Sequence, residues 1–269
     1  MPFAILIAFF DLSGKEIILL LTNPGAFPIN YLFFIYIFVL LGTIFTFYLF
    51  RKKVDKMPIE NYGYNFNKSF GKQSLSGFMV GGIFISFGFL ILYLTGNIEI
   101  KSFGSNIWSQ ILYIAFFVVA AANEEIIFRG YILDTLLETG NKFKALLISS
   151  IIFAVFHAAN PNITWVSFLN LIIAGFFLGI SYIHVRNLWF PTMLHFAWNF
   201  FQGPIYGFGV SGMHFDGLIK QETIGKYDTV TGGKFGLEGS LVATFLMILF
   251  IIGIHFYYKN KTKTITTNV

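Results

Sequence analysis

The chain has 269 residues, of which 56% are hydrophobic and only 12% are charged, and its formal net charge is +5. Soluble domains carry about 25% charged residues, so this composition excludes an ordinary soluble protein and indicates a polytopic membrane protein in contact with lipid. The lack of cysteine excludes disulfides, thiolate metal sites and cysteine nucleophiles. The positive charge does not require a nucleic-acid partner, because membrane proteins collect Lys and Arg in their cytoplasmic loops. We expect one integral membrane domain over residues 1–269.

The first apolar segment, residues 1–21, is interrupted by polar and charged residues. Neither half reaches the roughly 20 residues that a spanning helix needs, so we expect a short interfacial or re-entrant element there. The longer apolar segments that follow predict an all-α transmembrane helical bundle of about seven spans. These segments are residues 31–50, 75–94, a helix from residue 107 to a break at 139–141, 145–160, 165–182, 189–209 and 241–258.

Two connecting segments and a pattern of small residues complete this outline. We expect residues 96–106 to form a turn, and we interpret the Gly-rich residues 210–239 as a connector rather than a lid. Glycines at helical spacing in the second and fifth segments are typical of close packing between membrane helices. They are Gly77, Gly81, Gly82 and Gly88 in the second segment and Gly175 and Gly179 in the fifth.

The distribution of basic residues predicts the orientation of the bundle. If the C-terminus lies in the cytoplasm, 13 of the 18 Lys and Arg residues fall in cytoplasmic segments, which is the bias that the positive-inside rule describes. These are Arg51, Lys52, Lys53, Lys56, Lys68, Lys72, Arg129, Lys142, Lys144, Arg186, Lys259, Lys261 and Lys263, whereas Lys15, Lys101, Lys220, Lys226 and Lys234 fall on the other side. We therefore expect a cytoplasmic C-terminus.

The third apolar segment carries charged residues in the stretch AANEEIIFRGY, residues 121–131. Inserting a charged side chain into the hydrocarbon region costs at least ~2.5 to 3.5 kcal/mol of free energy, so such a residue requires an interaction partner or a functional role. Glu125 and Arg129 are four residues apart and can pair on one helix face. Glu124 points about 100° away from that face and is left free for chemistry. The alternative is that all three residues lie in interfacial water and only end the helix.

Two later segments also contain polar side chains that lipid would not tolerate, His157 in FAVFH and His195 with Asn199 in HFAWN. His195 and Asn199 are four residues apart and share one helix face. Counted from the helix ends at ~1.5 Å per residue, these groups can meet Glu124 in a cavity, which we expect to open towards the cytoplasm. For each polar group alone, an interhelical hydrogen bond is the alternative interpretation. We interpret the remaining histidines as structural or solvated, namely His184, His214 and His255.

These side chains suit the hydrolysis of an amide bond. A carboxylate and an imidazole directed at one water can act as general base and as the group that positions the water. An imidazole beside a carboxamide offers two donors to an oxyanion. A catalytic zinc held by Glu124, His157 and His195 is a second explanation, although no HExxH pattern occurs. A proton-relay role for Glu124 in a transporter is a third, which the absence of a sequence repeat disfavours.

Three motifs, each on a separate apolar helix, resemble those of the CPBP family. They are EEIIFR (Glu124, Glu125, Arg129), FAVFH (Phe153, His157) and HFAWN (His195, Asn199). That family comprises the type II CaaX prenyl endopeptidases and the bacterial Abi proteins linked to bacteriocin processing and immunity. The motif-bearing core covers about residues 107–201.

The resemblance implies an intramembrane endopeptidase, in the plasma membrane of a bacterial-type cell, that cuts a peptide or protein substrate near the cytoplasmic face. It implies that Glu124 is the base that activates water, that His157 is its partner on that water, and that His195 and Asn199 stabilise the oxyanion. The alternative function is that of a non-catalytic membrane protein of the bacteriocin-immunity type.

The resemblance also implies that Glu125 and Arg129 support the site as an ion pair. Family members have been described as metalloproteases and as metal-independent glutamate proteases, so a zinc ion on Glu124, His157 and His195 stays open. We favour the metal-independent mechanism, because Asn199 is a poor zinc ligand and a good oxyanion donor.

Overall fold

The computed structural model describes residues 13–15, 27–56 and 63–266 of the chain. Apart from residues 13–15, the N-terminal element predicted for residues 1–21 lies outside the described residues. In the described part, the main helices form one bundle. They are α1 (Ile29–Val54), α2 (Phe70–Leu94), α3 (Ile107–Leu137), α4 (Lys142–Phe156), α5 (Trp165–Val185), α6 (Trp189–Phe200) and α7 (Leu241–Thr266).

The all-α transmembrane fold predicted from the sequence is confirmed. Helices α1, α2, α3 and α5 each contain a stretch that is long and apolar enough to cross a membrane, and α7 contains a shorter apolar stretch, Leu241–Ile254. Each of the seven apolar segments of the sequence contains a helix, but the segments predicted as 145–160 and 189–209 end earlier, at Phe156 and Ile205. The number of seven crossings stays a prediction, because α4 has only 15 residues and α6 has 12, followed by five π-helical residues.

Capping side chains mark the first residues of three helices. Asn106 accepts hydrogen bonds from the backbone N–H groups of Trp108 and Ser109 at the start of α3. Asn141 caps α4, and Thr164 forms a capping box with Ser167 at the start of α5. These side chains satisfy N–H groups that a helix start leaves without a partner.

The predicted glycine faces are packing faces. A Cβ atom on Gly77 would lie 2.3 Å from the carbonyl oxygen of Phe190, and one on Gly81 would lie 2.4 Å from that of Leu194. Helices α2 and α6 therefore approach each other more closely than any larger side chain would allow. Gly175 brings α5 against Ser150 of α4 in the same way, with 2.6 Å from the added Cβ to the Cα atom.

The structure corrects the expectation that residues 96–106 form only a turn. They contain strand β1 (Ile98–Phe103), which pairs antiparallel with β2 (Ile219–Thr223) from the loop that precedes α7. The partner strand lies more than 100 residues away in sequence. A short strand with a distant partner has no local signal strong enough to separate it from a turn.

The bundle has two chemically different ends. At the end that we call the basic end, α1, α3 and α5 finish, and Arg51 and Arg186 both pair with Asp134, at 2.9 and 3.2 Å. The other end, which we call the loop end, contains the β1–β2 sheet and residues 157–164 and 206–240. Two hydrogen bonds show that α1 and α3 run parallel and finish at the same end of the bundle. Thr43 donates to Asn123, and further along both helices Arg51 donates to Asp134.

The close approach of α2 and α6 predicts a large effect of one methyl group. We expect Gly81→Ala to lower the free energy of unfolding by ~1–3 kcal/mol, because the new Cβ meets backbone that cannot move aside. The thermal unfolding midpoint in detergent should fall accordingly. The matched control is Gly71→Ala in the same helix, where a Cβ has no neighbour within 4 Å. There the better helix propensity of Ala gives an unchanged or higher midpoint. Equal midpoints for the two variants would contradict the close packing.

Candidate active site

The four polar groups predicted to converge line one cavity of about 400 Å³. Glu124 reaches it from α3, His157 from the end of α4, and His195 and Asn199 from α6. The other walls are mostly apolar and include Phe116, Phe117, Phe128, Leu171, Trp198 and Met247. Polar groups in an apolar cavity are the usual composition of a small-molecule or substrate site.

Glu124 faces both imidazole rings. Its Oε2 atom lies 3.5 Å from Nε2 of His157 and 3.9 Å from Nε2 of His195. These distances are too long for direct hydrogen bonds, and Oε2 has no hydrogen-bond partner among the described residues. The Glu124 side chain keeps 25% of its surface exposed. The side chain therefore lines the cavity, while its Oε2 atom is buried.

The other nitrogen of each ring has a fixed partner. Nδ1 of His157 lies 2.8 Å from the carbonyl oxygen of Phe153, one turn back in α4. Nδ1 of His195 lies 2.9 Å from Oε1 of Glu125. A carbonyl and a carboxylate only accept, so each Nδ1 donates and each Nε2 is directed towards Glu124.

Glu125 and Arg129 form the ion pair expected from their spacing. Arg129 Nη1 lies 2.9 Å from Oε1 of Glu125, and the two side chains are 1% and 0% exposed. Arg129 also donates to the carbonyl oxygen of Gly175 and lies over the ring of Phe153, 4.6 Å from its centroid. The same Glu125 oxygen accepts from Arg129 and from His195, so Glu125 orients a cavity residue as well as balancing a charge. This second contact joins residues 70 positions apart and has no local signal in the sequence.

A change in helix geometry begins directly after Glu125. Residues Ile126–Leu133 of α3 form a π-helix, with wider turns than an α-helix. Such turns are rare and occur mostly at functional sites, because they alter the direction of the flanking side chains. The sequence carried no signal for it, although the spacing that pairs Glu125 with Arg129 is unaffected.

The loop before α7 also lines the cavity, which corrects its interpretation as a connector. Val210, Ser211, Met213 and Glu238 are part of the wall. Glu238 accepts hydrogen bonds from the backbone N–H and the hydroxyl of Ser211 through Oε1. Burial raises the pKa of the Glu238 carboxyl, against the lowering effect of these hydrogen bonds. Its position between Leu237 and Gly239, in an otherwise apolar stretch, was the one local signal for this residue.

The remaining histidines lie elsewhere. His184 and His214 are exposed and are not part of the cavity wall. The side chain of His255 lies outside the described residues.

The zinc alternative requires Glu124, His157 and His195 as three ligands of one ion. Within the residues that the structure describes, no group of three or more His, Cys, Asp or Glu side chains is arranged to hold a metal ion. The zinc alternative stays a hypothesis beside the chemistry of a carboxylate, two imidazoles and an amide acting on water.

The position of the cavity conflicts with one pair of expectations. The loops that line the cavity, residues 157–161 and 210–213, belong to the loop end. The expected cytoplasmic basic end and the expected opening towards the cytoplasm therefore point to opposite ends of the bundle, and both stay predictions. The depth estimate from the sequence assumed a full span over residues 189–209. In the structure, the helix that begins at Trp189 continues as a π-helix to Ile205, and residues 210–213 beyond it line the cavity.

Comparison with known families gives one match to this part of the chain. The sequence model of the family described as "Type II CAAX prenyl endopeptidase Rce1-like" matches residues 106–201. The matched segment is Rce1-like. This confirms the resemblance seen in the three motifs, and the Rce1-like segment contains Glu124, His157, His195 and Asn199.

A curated relative matches over a similarly short stretch. The protein named "Putative membrane peptidase YdiL" from Bacillus subtilis (strain 168) is 36% identical over 84 residues, which are 31% of this chain and 32% of the relative. The match thus spans about a third of that relative's length. No solved structure matches the chain. Glu238 and the loop that carries it lie beyond the Rce1-like segment.

The buried pair predicts a strong dependence on Arg129. We expect Arg129→Met to lower stability by ~3–5 kcal/mol, because it leaves the Glu125 carboxylate buried without its cation. The measurement is the yield of monodisperse protein in detergent and its thermal midpoint. The control is Lys101→Met, whose ion pairs with Glu99 and Glu222 are exposed, and which should leave both quantities nearly unchanged. Similar losses for the two variants would contradict the account of the pair.

Proposed function

We propose that the protein is an intramembrane endopeptidase that hydrolyses a peptide bond with a water molecule activated by Glu124. The observation that carries the proposal is the position of the Glu124 Oε2 atom, without a hydrogen-bond partner in the described residues and within 3.5 and 3.9 Å of two imidazole nitrogens. A polar contact longer than a direct hydrogen bond can be bridged by water. A water there would touch a base and a second acceptor.

The reaction follows from the positions of these groups. Glu124 takes a proton from the water while Nε2 of His157 holds its other hydrogen, and the water oxygen forms a bond to the carbonyl carbon of the substrate. The carbonyl oxygen becomes an oxyanion. As the tetrahedral intermediate collapses, the C–N bond breaks and Glu124 returns the proton to the leaving amine. The products are a carboxylic acid and an amine.

Two groups on α6 stabilise the oxyanion. Asn199 offers its side-chain N–H, and His195 offers Nε2–H when the ring is protonated. The Glu125 carboxylate, 2.9 Å from Nδ1 of His195, compensates the positive charge of that ring. Glu125 and Arg129 are therefore positioning residues, because neither lines the cavity among the described residues.

The substrate class in this proposal is a peptide or protein segment at or in the membrane. The family description names a CAAX prenyl endopeptidase and the bacterial relative is named a membrane peptidase, and both descriptions support peptide-bond cleavage. The distribution of Lys and Arg supports a plasma-membrane orientation with the C-terminus in the cytoplasm.

The proposal predicts how activity depends on each group. In a peptide-library cleavage assay on the purified protein, we expect Glu124→Gln and His157→Ala to lower kcat by ~10²–10⁴-fold, because the water loses its base or its partner. We expect Asn199→Ala to lower kcat by ~10²–10³-fold, through the loss of one oxyanion donor.

Matched controls separate these effects from general damage. Glu222→Gln and His214→Ala change an exposed carboxylate and an exposed imidazole and should retain full cleavage. Unchanged turnover in Glu124→Gln would end the proposal, and so would folded wild-type protein without activity, which is the outcome expected of a non-catalytic immunity protein. Loss of cleavage with a strong chelator, restored by zinc, would contradict water activation without a metal.

A further inference from the structure

None of the described residues that line the cavity belongs to the basic end of the bundle. The wall residues come from the middle of the helices and from the loop end, including Pro161, Ser211 and Met213. On α3, the lining residues nearest to the basic end are Ile127 and Phe128. Further on, Asp134 forms salt bridges with Arg51 and Arg186 at the basic end.

The same two ends differ in charge. Among the described residues, the basic end carries Arg51, Lys52, Lys53, Lys56, Lys68, Lys72, Lys142, Lys144 and Arg186, against the acids Asp55, Asp134 and Glu138. The loop end carries Lys101, Lys220, Lys226 and Lys234, against Glu99, Asp216, Glu222, Asp228 and Glu238. The excess of Lys and Arg marks the basic end as the cytoplasmic one.

We propose that the cavity is entered from the side of the membrane opposite the cytoplasm, so that its substrate is a peptide segment that has already been translocated or that lies in the outer leaflet. The identification of the ligand as a peptide substrate rests on the proposed function, whereas the side of the membrane from which the cavity is entered does not. A peptide that stays in the cytoplasm would meet the basic end, whose described residues do not line the cavity, and would not reach Glu124.

Single cysteines test the sidedness, since the natural chain contains none. Three variants each introduce one thiol: Ser102→Cys on β1, Met213→Cys in the cavity wall, and Thr139→Cys at the basic end. Ser102 and Thr139 are exposed. In intact cells, a membrane-impermeant maleimide should label Ser102→Cys and Met213→Cys, whereas Thr139→Cys should react only after the membrane is permeabilised.

Two results would overturn this proposal. One is labelling of Thr139→Cys in intact cells while Ser102→Cys is protected, which inverts the bundle. The other is a Met213→Cys variant that, like Thr139→Cys, is labelled only after the membrane is permeabilised, or that is not labelled under either condition. Labelling needs no activity, so the predicted pattern without any peptide cleavage would remove the proposed function and leave the sidedness standing. In sealed vesicles, an impermeant peptide library should be cut only when the vesicles are right-side out.

A separate observation concerns Glu238. Its backbone is fixed on both sides, because its N–H donates to Oε1 of Gln202 and its carbonyl oxygen accepts from Nδ2 of Asn170. Its carboxylate is oriented by Ser211 and lines the cavity with Glu124. No Lys or Arg of the described residues forms a salt bridge with it. A fixed carboxylate without a cation, in a cavity that admits a ligand, favours a cationic ligand group.

The geometry points to Glu238 as a specificity-determining residue that binds a cationic group of the peptide, either a Lys or Arg side chain or a free α-amino group. This role again rests on the proposed function. The simpler role would be structural, namely to hold the turn at Ser211, whose backbone has a φ of 50°.

Glu238→Gln separates the two roles, because a Gln side chain still accepts from Ser211 but carries no charge. The assay compares kcat/KM for paired peptides that carry Lys or norleucine at one position, and it includes peptides with free and acetylated N-termini. We expect the wild type to prefer the cationic member by about tenfold to a hundredfold, the range of a charge-assisted hydrogen bond. Glu238→Gln should bring that ratio close to one, mainly through KM.

Glu222→Gln is the matched control, because it removes an exposed carboxylate from the same loop and should keep the wild-type ratio. A wild type without preference, or a ratio that survives in Glu238→Gln, would overturn the role in specificity. Absence of cleavage in every variant, wild type included, would instead overturn the proposed function.

Discussion

One carboxylate oxygen, Oε1 of Glu125, accepts from Arg129 of its own helix and from His195 of α6, both at 2.9 Å. These three side chains lie in the middle of an apolar bundle, where an unpaired charge would be prohibitively unfavourable. The contact therefore constrains two helices at once: α3 must present Glu125 to α6, and the turn that does so directs the neighbouring Glu124 into the cavity. The glycines that bring α2 and α5 close to their partners are compatible with this arrangement because they add no bulk around it.

The loop end completes what the helices begin. Helix α4 ends at Phe156, so His157 lies where the chain leaves the helix and its ring is fixed by the carbonyl of Phe153. The segment after α6 then folds over the same space and contributes Glu238, which Ser211 orients. The cavity thus has a fixed, buried side formed by ion-paired helices and a side formed by loops that the β1–β2 pairing holds together. A substrate site needs both properties, because the reacting groups must be rigid and the ligand must enter.

Hydropathy and helical spacing are sufficient to predict the helices and part of the candidate site. Apolar runs gave the helices, and the interval of four residues gave the pair of Glu125 with Arg129 and the shared face of His195 and Asn199, because both signals are local. Contacts between distant segments had no such signal. The bond from His195 to Glu125 spans 70 residues, and the strand pairing and the position of Glu238 depend on how the loop folds back. The π-helical turn after Glu125 is set by tertiary packing, which propensity does not encode.

The buried Glu125 carboxylate fixes the His195 ring, so that Nδ1 contacts Glu125 and Nε2 faces Glu124. Nitrogen-15 NMR of histidine-labelled protein in lipid reports the protonation of each ring nitrogen, and the spectrum of His195→Gln identifies the signals of this residue among the five histidines. We expect a protonated Nδ1 for His195 that is hydrogen-bonded to a carboxylate and whose chemical shift changes in Glu125→Gln. An unprotonated Nδ1, or a signal that Glu125→Gln leaves unmoved, would contradict it.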